Sequence, residues 1–162
     1  MRTRIRKLRT ATTASVCSAL LAGVVALAPG ASAVTPQTAL TDYSCGTFGL
    51  SFADLTATQT GNLATITVAF HQISAPISIP PSSIHSKLTL TDTNTYGTRI
   101  FEGDANPDLW AGDHLTVGPL PGIVLPGDSL DTYGASLSMV IYGITITCTP
   151  LQSLSPSPFV FD

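Results

Sequence analysis

The sequence predicts an all-β fold, a two-sheet antiparallel sandwich, preceded by an N-terminal signal helix that is removed on export. Three observations carry this. The chain is built from Thr, Ser, Val, Ile, Gly and Pro, with only 10% charged residues, a choice that favours strands and turns over helices. Apolar and polar residues alternate with period two in several segments, the pattern of a half-buried antiparallel strand. Turn signals separate these segments at roughly ten-residue spacing, as in sandwiches and barrels.

The leader comes first. Arg2, Arg4, Arg6, Lys7 and Arg9 stand in a segment with no acid, and the apolar run of residues 19–28 follows. Pro29-Gly30 breaks that run, and Ala31-Ser32-Ala33 puts small residues where a signal peptidase reads them. Charged start, short apolar run and small-residue cleavage site together form a secretory signal. Residues 1–33 are therefore expected to be cut off between Ala33 and Val34. The apolar run is too short to span a bilayer, which needs about 20 residues. Residues 34–41 read as a polar lead-in, 42–150 as the β-sandwich domain and 151–162 as a Ser/Pro-rich tail. The tail ends in apolar Phe159-Val160-Phe161, which can dock back on the body.

Strands are expected next. In residues 63–70, Ile66, Val68 and Phe70 alternate with Thr65, Thr67 and Ala69. In residues 84–91, Ile84, Leu88 and Leu90 alternate with His85, Lys87, Thr89 and Thr91. In residues 144–149, Ile144, Ile146 and Cys148 alternate with threonines. Leu137, Met139 and Ile141 alternate in the opposite phase, which predicts a bulge near Gly143. Further strands are expected at 47–55, 96–102, 113–117 and 122–125. Turns are expected at Gly61-Asn62, Pro80-Pro81, 92–94, 103–108, 119–122 and 126–128.

Removing the leader leaves two cysteines of three, Cys45 and Cys148. An even pair in an exported chain implies a disulfide. It would bring the first and last strands together, which suits strands paired across or within the sheets of a sandwich. Tyr43-Ser44-Cys45 and the stretch from Ile144 to Pro150 (ITITCTP) resemble secreted bacterial immunoglobulin-like domains of unknown function. The resemblance implies the sandwich architecture and leaves its topology open, because Ile146 rather than a tyrosine lies two residues before the second cysteine.

Charge narrows the function. Residues 34–162 keep ten acids against Lys87 and Arg99 alone, a formal net charge of −8. Such a surface repels phosphate backbones and anionic lipid, so nucleic acid and membrane surfaces are not expected partners. No nucleophile elbow, zinc-helix, phosphate-loop or dinucleotide motif is present in the sequence. The expectation is a secreted, monomeric, non-catalytic binding or structural module with a disulfide and no cofactor. Its partner would be an extracellular protein or a glycan. The alternative is a secreted hydrolase inhibitor or a carbohydrate-binding module.

Candidate sites are few. Asp104, Asn106 and Asp108 alternate as D-x-N-x-D with Asp113 nearby, an oxygen set that could hold calcium. The same residues are standard turn formers. Trp110 lies among them and could stack on a sugar ring or fold onto the core. His71, His85 and His114 show no metal-ligand spacing. Residues 117–127 (VGPLPGIVLPG) read either as a rigid exposed loop suited to binding a partner or protease, or as turns around a short strand.

Overall fold

The computed structural model describes residues 34–162. The expected signal segment, with Ala31 and Ala33, lies outside the described residues. Val34, the residue after the expected cut, is buried. The strands are β1 (Thr38–Ser44), β2 (Leu50–Thr60), β3 (Leu63–Ser74), β4 (His85–Asp92), β5 (Thr98–Asp104), β6 (His114–Ile123), β7 (Ser129–Ile141), β8 (Ile144–Pro150) and β9 (Phe159–Val160). A 3-10 turn, Gly46–Phe48, links β1 to β2.

The strands form one closed antiparallel barrel, not a sandwich. The order around it is β1-β2-β3-β6-β5-β4-β7-β8, and β8 pairs back onto β1 through Tyr43↔Pro150 and Ser44↔Thr149. The β4–β7 ladder, from His85↔Val140 to Asp92↔Leu130, joins what would be two separate sheets. Both the sandwich and the immunoglobulin-like resemblance are therefore corrected. The physical reason is that sandwich and small barrel demand the same inward-outward alternation along each strand. The disulfide forms as expected between Cys45 and Cys148, 103 residues apart in sequence. It staples the neighbours β1 and β8 at the seam where the barrel closes.

Alternation along the strands explains the core. Ile66, Val68 and Phe70 of β3, Leu88 and Leu90 of β4, and Leu137 and Met139 of β7 all point inward and are buried. Tyr43 lies edge-on to Phe70 with ring centroids 5.7 Å apart, and burial pushes its phenol pKa up.

Two local readings change. Gly143 is not a bulge. Ile141 pairs with Ile144, and Tyr142 and Gly143 both have positive φ (49° and 80°), the geometry of a tight hairpin turn. The expected strands at 113–117 and 122–125, with their turn at 119–122, are one strand, β6. It presses so closely on β3 that a Cβ at Gly118 would stand 2.7 Å from Ile66 O and Thr67 Cα. The supposed loop 117–127 is thus mostly strand, with Val117, Leu120 and Val124 buried.

The ordered body extends at both ends beyond 42–150. β1 starts at Thr38, and the tail folds back along it through Leu40↔Ser155 and Thr35↔Val160. β9 pairs with β7 at Ser129 and Leu130. It therefore lies between β7 and the chain preceding β1, as β8 does further along. β9 continues the stave that β8 begins.

Antiparallel order puts the connections 45–49, 75–84, 105–113 and 142–143 at one end of the barrel. The turns 61–62 and 93–97, the connection 124–128 and both ends of the described residues lie at the other. That second end is tied by charge. Arg99 Nε and Nη2 donate to Asp128 Oδ2 and Oδ1 at 2.6 and 2.8 Å. Asp128 Oδ2 also accepts from Leu125 N at 2.9 Å. Asp92 accepts from the Thr95 hydroxyl and from the N–H groups of Asn94 and Ser129. These bonds, the Thr95 one foremost, hold its carboxyl below the usual carboxylate range.

Candidate functional site

The end carrying 45–49, 75–84, 105–113 and 142–143 is the candidate site, and the chain builds it in layers. Residues 75–84 cross from β3 to β4 over the barrel mouth. They are rich in Pro and hold few local bonds, so neighbours fix them. Ile79 and Leu109 exchange both backbone bonds, at 2.8 and 3.0 Å, and Ala75 N donates to Asp113 O at 2.9 Å. On the other flank the Tyr142 hydroxyl donates to Ser78 O at 3.0 Å. The crossing segment is held between the 105–113 connection and the β7–β8 hairpin.

Under and beside it lies a cavity of about 130 Å³ that exposes only apolar surface. Ile73, Ile79, Leu115, Met139 and Ile146 form its buried wall. Phe48, Ile77, Tyr142 and Ile144 form its rim and are between 43% and 63% exposed. The rim makes the cavity reachable from solvent. A dry apolar cavity of about 150 Å³ in another protein admits benzene, so this one has room for one ring or a short alkyl chain. The sequence marks these residues only as core or as unremarkable loop. They come from four stretches of the chain, at 48, 73–79, 115 and 139–146, and no spacing rule collects them.

The expected calcium residues sit on the same end, and Asp104, Asn106 and Asp113 have other duties. Asn106 is buried, and its Oδ1 accepts from Ser83 N and Ile84 N, both at 2.8 Å. Its Nδ2 donates to Pro80 O and Pro107 O. The amide is a clamp between two connections. Asp104 Oδ1 lies 2.9 Å from His85 Nδ1, and Asp113 Oδ2 accepts from Trp110 N at 2.8 Å. Asp108 is exposed. Among the described residues no group of three or more His, Cys, Asp or Glu is placed to hold a metal. Trp110 is 67% exposed rather than folded onto the core.

The histidines have partners that residue spacing did not reveal. His85 lies against Asp104 and Glu102, and the Asp104 hydrogen bond raises its pKa above the ordinary value. His71 Nε2 lies 2.7 Å from Asp54 Oδ2, and its ring stacks on Phe52 at 4.2 Å. Strand register was the missing signal. Asp104 is directly opposite His85 on β5, and Asp54 is diagonal to His71 across β2 and β3.

No family model, no curated protein and no solved structure matches this chain. The disulfide is consistent with an oxidising, extracellular setting.

Proposed function

We propose that this protein is exported, loses residues 1–33, and works outside the cell as a non-catalytic binding module that takes a small apolar group into its barrel mouth. The observation that carries this is the wholly apolar cavity of about 130 Å³ ringed by exposed Phe48, Ile77, Tyr142 and Ile144. Soluble proteins keep contiguous exposed apolar surface mainly where something binds. The leader pattern and the disulfide support export.

Melting curves test the binding. Saturating benzene raises the melting temperature of the protein, and Ala75→Phe, which fills the cavity from its buried wall, removes the rise. No shift with benzene refutes the reading. Export is tested by expressing the full chain in a secreting host and weighing the released protein, which should begin at Val34.

The carbohydrate alternative has its own support in Trp110, which is largely exposed and whose backbone N–H donates to Asp113. Sugar binding would quench Trp110 fluorescence, and a glycan array without a hit removes it.

A further inference from the structure

Two buried side-chain oxygens among the described residues have no hydrogen-bond partner, the hydroxyls of Tyr43 and Ser86. A polar atom buried without a partner is destabilising, so each needs a physical explanation. The position of Ser86 supplies one. It points inward from β4, fully buried, and stands directly opposite Met139 of β7. Side chains paired in this way on one face have Cβ atoms about 5 Å apart. Met139 is part of the buried wall of the cavity, so the Ser86 hydroxyl lies one side chain behind that wall. The barrier is soft, because methionine is unbranched and repacks readily. Water is a poor partner for this hydroxyl. A buried water needs about two to four polar partners. The buried neighbours of Ser86, Ile84 and Leu88 along the chain and Met139 across the ladder, have apolar side chains. Tyr43 has no such position, since its ladder partners, Ser51 and Pro150, do not line the cavity.

We propose that the natural ligand is a small uncharged molecule with an apolar body and one hydroxyl group, of the phenol or short-alcohol class. The body fills the cavity, Met139 swings aside, and the ligand hydroxyl pairs with that of Ser86. A charged head is excluded from this position, because burying an unpaired charge costs far more than one hydrogen bond returns. This deepens the reading of the mouth as an apolar binding site, and rests on it.

The test compares phenol, benzene and benzoate, which share a ring. Each is titrated into the disulfide-intact protein at pH 7, where phenol is neutral and benzoate charged. Methyl shifts of Ile79, Leu115 and Met139 are followed by NMR. The quantity read is the ratio of the benzene to the phenol dissociation constant, in wild type, Ser86→Ala and Tyr43→Phe. One neutral hydrogen bond changes an affinity by about fivefold, so Ser86→Ala lowers the ratio by about that factor. Tyr43→Phe, which touches no wall residue through its ladder, leaves the ratio within about twofold. Benzoate gives no shifts. Ser86→Ala is expected to fold, since it removes only an unpaired hydroxyl.

A ratio unchanged in Ser86→Ala overturns the inference, and continued binding of benzene then leaves the apolar site standing. A ratio that falls as far in Tyr43→Phe overturns it too, as does benzoate binding as tightly as phenol. Failure of both benzene and phenol to shift the methyl signals overturns the proposed function with it.

Discussion

Removing the disulfide is the sharpest test of how the barrel holds shut. The perturbation is Cys45→Ala with Cys148→Ala; alanine avoids placing a hydroxyl where both sulfurs are buried. The bond closes a loop of 103 residues. Restricting a loop of about that length in the unfolded chain stabilises the fold by about 4.7 kcal/mol in the entropic account. The native side offers little to compensate, because β1 and β8 share only two ladder pairs, Tyr43↔Pro150 and Ser44↔Thr149. A domain of this size loses roughly 3 to 4 °C of melting temperature per kcal/mol, so a fall of about 15 °C is expected. The assay is thermal unfolding by circular dichroism at pH 7, with wild type plus reductant as the second arm. A fall below about 3 °C in both arms refutes the reasoning. It would mean that β1 and β8 hold the seam without the covalent link.

Three further outcomes follow from the geometry. Asp128→Ala strands the partly buried Arg99 and frees Leu125 N, and should cost about 3 kcal/mol in urea unfolding; a loss under about 1 kcal/mol would show the pair to be idle. His85 should titrate above the usual histidine value by NMR, and Asp104→Asn should lower it. A pKa raised by folding means that this contribution to stability is fully present below the unfolded-state pKa and is lost as pH rises through the folded one; a His85 titration at or below about 6.5 contradicts it. Calcium and chelator should leave the melting temperature unchanged, because Asn106 spends its oxygen on Ser83 N and Ile84 N; a clear rise with calcium would require that clamp to open.

The strands were largely legible because burial on one face leaves a period-two trace. Ile66, Val68 and Phe70 read as inward residues and are. Closure was not legible, since the β4–β7 ladder involves residues whose alternation is the same in either architecture. Pro119 and Pro121 misled because proline usually ends a strand. Here Pro121 still stands opposite Thr65, and Gly118 lets the two backbones meet. At the site, Asp108 and Trp110 could be singled out from composition. The cavity could not, because Phe48, Leu115 and Ile146 converge only after the barrel has closed.

The stave shared by β8 and β9 has a consequence for timing. β1 has β2 on one side at once, but its other side is filled only from far along the chain, by Thr149 and Pro150 of β8 and by Ser155. A growing chain can form the β1-β2-β3 meander early, but it has nothing to lay along the free side of β1 until Thr149 and Pro150 of β8 have been made. The closed state is therefore out of reach until β8 has been made, and a nascent chain stays open-edged until then. The ring, and the covalent link at its seam, can be completed only once Cys148 has been made.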